Sequence, residues 1–319
     1  MRVLLTGGAG FIGHHMVEHF LTETDWEVQV LDKLTYAGSL GRLAQFKDNK
    51  RFKFVYHDFR SAFSKGLIHQ LEGTDVVIHA GAETHVENSI QDPEAFVLSN
   101  VVGTFHMLEL VRQILPERYV HISTDEVFGP APDGVDFLEG APYAPSNPYA
   151  ATKAGAESLV VAYAKCYQVP AILTRTMNNF GERQHPEKYV PMVIRNVLQG
   201  KPVTVHACGD RVGSRKWLHA RNHASAVQFL IDHKALGQYH IAGVEQTNLE
   251  IAESIADYLE KPLDYTLVDY HSSRPGHDLR YSLDDQKLRN LGWREPVSYD
   301  ASLARTAHWT RKHPEWLVD

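Results

Sequence analysis

The segment GGAGFIG, directly after the apolar run RVLLT, constrains this chain more than any other stretch. Gly7, Gly10 and Gly13 mark a tight turn from a strand into a helix. A Cβ there would block both the turn and the approach of a pyrophosphate. The helix that follows offers unpaired N–H groups and the positive end of its dipole to phosphates. Phe11 and Ile12 carry the loop into that helix. A glycine loop alone is a weak signal, since a structural turn uses the same residues. Here Asp32 ends a second strand-like run, EVQVL, about 20 residues further on, where an acid meets a ribose. A carboxylate at that place repels a 2′-phosphate, so NAD is expected over NADP, with the adjacent Lys33 softening the preference.

The rest of the first half fits that beginning. RVLLT, EVQVL, FKFVY, DVVIH, RYVHIS and PAILT alternate with helical patterns, as βαβ units of a parallel sheet do. Right-handed crossovers then give an α/β, Rossmann-type doubly wound parallel sheet with ligands at the strands' carboxyl ends. Residues 1–175 are expected to form the NAD-binding domain, with 217–242 returning to it. Residues 176–319 are expected to form mainly a smaller C-terminal α/β substrate-binding lobe, with helices at VPMVIRNVLQ and NLEIAESIADYLE. The string PAPDGVDFLEGAPYAPSNP reads as a loop. It ends at a helix start, with Ser146 or Asn147 as caps and Pro148 in the first turn.

The chemistry is expected from two groups of side chains, Thr124-Asp125-Glu126 and Tyr149 with Lys153. Tyr149 and Lys153 are four apart and share one helix face. Free tyrosine titrates near about 10, so a base at neutral pH needs roughly 4 kcal/mol of stabilisation of the phenolate. Lys153 and a cationic nicotinamide ring can supply much of that. Thr124 would orient a sugar hydroxyl. Once that alcohol is a ketone, the neighbouring C–H is acidic. Glu126 would take this proton while Asp125, raised by burial and a second acid, protonates the adjacent hydroxyl to leave as water. Two adjacent acids at a strand end are otherwise a solvated turn. Asp58, after FKFVY, is placed either to meet the adenine or to cap a helix. Ala80, Gly81 and Ala82 would let a flat cofactor lie against the backbone.

These residues resemble the extended short-chain dehydrogenase/reductases, and among them the nucleotide-sugar 4,6-dehydratases of the dTDP-glucose type. The matches run nearly end to end: GGAGFIG, LDKLTYAG, GAETHVENSI, STDEVFG, SNPYAATKA, NNFG followed by HPEK, RPGHDLRY and LGW. STDEVFG together with YAATK is the discriminating pair, because related epimerases keep the tyrosine and lysine without the Asp-Glu. The resemblance implies a redox-neutral cycle on NAD: oxidation at C4, loss of water across C5 and C6, and hydride return to C6. Tyr149 is then the C4 base, Lys153 its partner and ribose anchor, Thr124 the C4-hydroxyl ligand, Asp125 the C6 acid and Glu126 the C5 base. Phe59, Thr84, Asn100 and Thr176 join the cofactor contacts, and Asn100 helps order the catalytic helix. His85, Asn178, Lys188, Arg215, Asn248, Arg274 and His277 match substrate contacts. The helices at VVGTFHMLELVRQIL and AGAESLVVAYAKCY match a four-helix homodimer contact.

Three departures stand out: Thr176-Met177 where the family has Cys-Ser, RKWLHARNHASA with Lys216 in place of an acid, and CGDRVGS before Arg215. The nucleotide base stays open, with thymidine the family default. So do the exact sugar and its N-acetyl status. A 4-epimerase is the alternative enzyme, and an NAD-binding regulatory protein without turnover is the alternative from another class.

Bulk properties narrow the rest. A net charge of −7 gives no electrostatic case for nucleic acid or an anionic membrane. No uninterrupted apolar run approaches the roughly 20 residues of a membrane span. Met1 leads straight into RVLLT, so no signal peptide is expected, and a cytoplasmic protein is. Cys166 and Cys208, the two cysteines, are expected as free, partly buried thiols. Among 19 histidines, His14 and His15 are expected to diverge on a helix. His219 and His223 are four apart but lack the glutamate of a zinc-protease pattern. No metal is expected.

Overall fold

The computed structural model describes residues 1–209, 211–269 and 279–318. All six strand-like runs of the first half are strands: β1 (Arg2–Thr6), β2 (Glu27–Asp32), β3 (Phe52–Tyr56), β4 (Val76–His79), β5 (Arg118–Thr124) and β6 (Ala171–Thr176). The second half adds β7 (Asn178–Phe180), β8 (Val203–Cys208), β9 (Arg211–Val212), β10 (Ser214–His219), β11 (Gly237–Ile241), β12 (Val244–Thr247) and β13 (Tyr265–Asp269). A seven-stranded sheet runs β11-β6-β5-β4-β1-β2-β3, every pair parallel. It is the expected doubly wound sheet. β11 was not singled out as a strand, although it lies in the segment expected to return to the first domain.

The helices used below are α1 (Phe11–Glu23), α2 (Lys65–Leu71), α3 (Val86–Gln91), α4 (Pro93–Phe96), α5 (Gly103–Ile114), α6 (Pro148–Cys166), α7 (Tyr189–Gln199), α8 (Ala220–Asp232) and α9 (Asn248–Leu259). The sheet is covered on both faces because its strands alternate between two apolar layers. Val3 and Leu5 pack with Met16, Val17 and Phe20 of α1 and Val227 and Leu230 of α8. Leu4 packs with Leu71 of α2, Met107, Leu108 and Val111 of α5, and Val160 and Tyr163 of α6. A separate core joins Val193, Ile194 and Val197 of α7 to Val203 and Val205 of β8, Trp217, and Ile251, Ile255 and Leu259 of α9. Two three-stranded sheets, β12-β10-β7 and β13-β8-β9, accompany it.

The α6 start follows its sequence signals. Asn147 is the N-cap, its side chain accepting from the Ala150 N–H at 2.8 Å, and Pro148 opens the first turn. α4 and α5 are joined by a π-helical stretch, Val97–Val102, which no sequence signal announced. The combined helix Pro93–Ile114 is long and apolar enough by composition to cross a membrane, and half of its most apolar window is buried inside the fold. Asn100, Thr104, His106 and Glu109 interrupt its apolar residues.

Two smaller expectations are corrected. The His14 and His15 rings do not diverge; their centroids are 4.1 Å apart, because both are buried between α1 and its neighbours. Cys166 is exposed rather than partly buried, since it ends α6 on the solvent side.

The largest buried polar contact ties α6 to the sheet. Arg175 of β6 meets Glu157 of α6, Nη2 to Oε2 at 2.6 Å, with side chains 1% and 0% exposed. Arg175 Nε also donates to both carboxylate oxygens, Nη1 to the Glu139 carbonyl and Nη2 to Gln238 Oε1. Breaking such a pair leaves an uncompensated buried charge. Arg175→Met is therefore expected to lower stability by about 3–5 kcal/mol. The double variant with Glu157→Leu should recover most of that loss in urea unfolding.

Candidate active site

The glycine loop has the geometry its sequence required. Gly7 has φ +70°, and a Cβ on it would lie 2.7 Å from the Gly81 Cα. A Cβ on Gly13 would lie 2.1 Å from the Gly7 carbonyl oxygen. Asp32 at the end of β2 is buried. Its Oδ2 accepts from the Ala9 N–H at 3.0 Å and its Oδ1 from the Leu34 N–H at 2.8 Å. Each oxygen keeps a lone pair, so the carboxylate can still accept ribose hydroxyls. Phe11, Ile12, Ala80 and Ala82 are half-buried around the loop, and Phe59 is buried. Thr84 is exposed just beyond. This cradle, closed to side chains and opening onto the N-terminus of α1, fits a dinucleotide such as NAD.

Asp58 is not the cap of the helix that follows. Its carboxylate accepts from Arg60 Nε and Nη2 at 2.8 and 2.6 Å, and from the Arg60 N–H at 3.0 Å. Lys33 lies 3.8 Å away. It thus caps a turn, while Ser64 caps the helix that follows.

The residues expected to be catalytic come together where β5 runs into α6. Thr124 is the last residue of β5 and caps the short turn Asp125–Phe128. Its hydroxyl donates to Asp125 Oδ1 at 2.9 Å and accepts from the Glu126 N–H at 3.3 Å. Tyr149 is buried in the first turn of α6 and hydrogen-bonds Thr124. Its backbone N–H donates to Ser89 Oγ at 3.2 Å. Asn147 Nδ2 donates to Glu126 Oε2 at 3.1 Å. One residue thus caps the helix and aims the glutamate. Asp125 Oδ2 is buried with no hydrogen-bond partner among the described residues.

Burial dominates the protonation of all three central groups. It pushes the Asp125 carboxyl up to about 6, against the Thr124 hydroxyl and the Arg215 charge. It pushes the Tyr149 phenol well above its ordinary value, helped by the Glu126 charge and opposed by Thr124. It pushes Lys153 down to about 8, against Glu157. Lys153 is expected to support Tyr149, and it lies one helical turn further along α6. The ammonium donates to the Ile122 carbonyl at 2.7 Å, and at the phenol burial and the Glu126 charge outweigh the Thr124 hydrogen bond.

Asn100 lies in the π-helical stretch. Its Nδ2 donates to Thr152 Oγ1 and to the Glu83 carbonyl, both at 3.0 Å, and its Oδ1 accepts from the Glu83 N–H at 2.9 Å. Thr176, buried, accepts from Asn179 Nδ2 at 3.0 Å.

A family model described as GDP-mannose 4,6 dehydratase matches residues 4–306. The chain belongs to that family. It is 38% identical over 343 aligned residues to a dTDP-glucose 4,6-dehydratase of Salmonella typhimurium, covering 99% of this chain and 94% of that one. A Streptomyces venezuelae dTDP-glucose 4,6-dehydratase solved with NAD has a TM-score of 0.91 at 39% identity, covering 99% and 98%. A Thermus thermophilus UDP-glucose 4-epimerase solved with NAD has a TM-score of 0.87 at 31% identity, covering 98% and 99%.

The described members of the substrate set expected in this GDP-mannose 4,6-dehydratase family member lie on several separate elements. Asn178 is exposed on β7. Lys188 precedes α7, its ammonium 3.3 Å from Glu187 Oε1. His85 caps α3 and lies 3.9 Å from Glu187, so the two lobes meet there. Arg215 on β10 donates to the Leu279 carbonyl at 2.7 Å and stacks 4.5 Å over Tyr281. Asn248 opens α9, its N–H donating to the Gly213 carbonyl and its carbonyl accepting from Tyr189. Arg274 and His277 lie outside the described residues. Among the described residues, no group of three His, Cys, Asp or Glu could hold a metal.

Sequence reasoning passed over Arg42. It is buried and donates to the Ala9 and Ala37 carbonyls at 3.1 and 2.6 Å and to the Arg183 carbonyl at 3.0 Å. It braces the glycine loop from behind, and no local pattern marked it. The departure at Lys216 also acquires a role: its ammonium pairs with Asp136 Oδ2 at 2.5 Å and so holds the loop that leads to α6.

Asp125 carries a stability consequence. A carboxyl with a raised folded value favours the fold below its unfolded value, and that advantage is lost as pH rises through about 6. Asp125→Asn removes the buried charge. It is expected to exceed the parent in stability by on the order of 1–3 kcal/mol at about pH 8 and to differ little at about pH 4. Urea unfolding at the two pH values checks this.

Proposed function

We propose that the protein is a NAD-dependent nucleotide-sugar 4,6-dehydratase acting on a nucleoside-diphosphate glucose, with dTDP-glucose the favoured substrate. The observation that carries this is Asp125 beside Glu126 at the end of β5, within reach of Tyr149, with the Asp125 carboxyl raised to about 6. Relatives at this level of identity are dTDP-glucose 4,6-dehydratases, and solved ones hold NAD and dTDP. In this reading residues 1–175 with 217–242 hold NAD, and residues 176–319 mainly hold the nucleotide sugar.

The roles are those the family resemblance implies, and the geometry supports them. Bound NAD supplies a reversible hydride acceptor, taking hydride from C4 and giving it back at C6. Tyr149 removes the C4 hydroxyl proton and Thr124 orients that hydroxyl. Burial raises the unaided phenol, so Tyr149 works as a base when a neighbouring positive charge compensates; the cationic ring and Lys153 are the two sources. The C4 ketone acidifies C5–H. Glu126, aimed by Asn147, takes that proton while Asp125 gives its own to the C6 hydroxyl, which leaves as water. Glu126 then returns the proton to C5. Lys188 and Arg215 offer charge to the diphosphate, Arg215 through a planar fork. A homodimer through a four-helix contact is supported by Val97, Leu98 and Phe105, exposed on the helix Pro93–Ile114.

Substrate deuterated at C4 should yield a 4-keto-6-deoxy product with deuterium in its methyl group. A C4-epimerised sugar without that product would establish the epimerase instead. NAD binding with no turnover of any nucleoside-diphosphate glucose would establish a non-catalytic protein.

Asp125→Asn is expected to slow water loss by about 10²–10⁴-fold and C4 oxidation far less. Tyr149→Phe should slow both, because each later step needs the ketone. Single-turnover measurement of the two steps separates the roles.

A further inference from the structure

His79, at the carboxyl end of β4, belongs to none of the roles above, yet it is buried between the dinucleotide loop and the catalytic helix. We infer that His79 is a positioning residue that links the floor of the dinucleotide loop to the carbonyl of Tyr149 through one hydrogen-bond chain of fixed direction. The inference rests on the functional reading above and adds to it a group that touches no reacting atom.

The direction follows from counting protons. Thr6 is the last residue of β1, immediately ahead of Gly7. Its Oγ1 accepts from the Gly81 N–H at 3.1 Å, so its own proton is available to His79 Nδ1 at 2.7 Å. On the other side of the ring, Thr104 donates its proton to the Asn100 carbonyl at 2.6 Å. Thr104 Oγ1 must then accept from His79 Nε2, which lies 3.2 Å away. A hydroxyl has one proton, so only one tautomer satisfies every member: Nδ1 bare and Nε2 protonated. The Asn100 side chain carries the link on to Thr152 Oγ1, and Thr152 donates to the Tyr149 carbonyl at 2.8 Å.

The surroundings hold the ring in that state. Burial, and then the Lys153 charge, push His79 down to about 3, so it stays neutral. Phe59 packs edge-on at 5.1 Å and His121 lies at 5.5 Å, leaving the ring little room to turn. The chain passes through the π-helical stretch at Asn100, which is where α4–α5 touches α6. Cutting it at His79 or Thr104 leaves buried polar atoms unpaired and frees that stretch to shift against Tyr149.

The test uses the full-length protein with NAD. In the parent, ¹⁵N resonances of His79 should show a bare Nδ1 and a protonated Nε2, unchanged between about pH 6 and pH 8. His79→Leu and the near-isosteric Thr104→Val are each expected to lower kcat about tenfold, leave the sugar KM within about twofold, and move the ring ¹³C resonance of Tyr149. His79→Gln can still donate to Thr104 through its amide, and should bring kcat to within about threefold of the parent and the Tyr149 resonance back toward its position. Should His79→Leu fail to fold, Thr104→Val carries the same test. A proton on Nδ1, or parental kcat and an unmoved Tyr149 resonance in Thr104→Val, would overturn the inference. If the parent turned over no nucleotide sugar, the functional reading would fail, while the tautomer and the Tyr149 resonance would still decide this one.

Discussion

Lys153 donating to the Ile122 carbonyl fastens the start of α6 to the end of β5, and the catalytic arrangement depends on that junction. Thr124, Asp125 and Glu126 leave the sheet two to four residues beyond Ile122, and Tyr149 sits one helical turn before Lys153. One buried ammonium on a strand carbonyl therefore sets the distance between the two groups. Asn147 reinforces it from the other end by capping α6 and holding Glu126 at once. Deeper in the same interface, Glu157 and Arg175 lock the next turn of α6 to β6. The helix is consequently pinned at three successive levels by polar contacts rather than by apolar packing alone, and such contacts fix orientation in a way that apolar contacts do not.

That precision works against stability. The site keeps a carboxylic acid, a phenol and an ammonium away from water, and burial moves each toward its neutral form. For Asp125 the shift suits the acid role proposed for it, since an acid that donates a proton near neutral pH needs a raised value. For Tyr149 the shift opposes the base role proposed for it. In the proposed cycle the phenol is a useful base only where a positive charge is brought against it, which would couple the first step to a loaded cofactor site.

The second lobe solves a different problem. Asp136 in the loop before α6 is held by Lys216 of β10 and by Arg280. Arg280 also reaches Glu245 on β12, and Lys216 the Leu283 carbonyl. The sequence departure at Lys216 is thus matched by an acid across the loop, and the charge pair keeps the route into the catalytic helix attached to the strand that carries Arg215. Exposed ion pairs contribute little, but here Lys216 and Arg280 are largely buried and share partners, so the network specifies a loop position.

Much of this protein was readable from local pattern. The glycine loop, Asp32, six of the seven strands of the large sheet, the loop ending at Asn147 and the α6 start all follow from contacts within a few residues, which a sequence records directly. The Thr-Asp-Glu run and the Tyr149–Lys153 spacing, which carry the proposed chemistry, are local patterns of the same kind. Tertiary structure decided the rest. Only the packed fold shows that Lys153 is drawn to a strand carbonyl and that burial and the Glu126 charge together raise the Tyr149 phenol. It alone closes Asp58 onto Arg60, brings His14 and His15 together, and lays His79 in a chain of partners from four separate elements. Each of these is settled by desolvation or by partners distant along the chain, and neither quantity exists until the chain has folded.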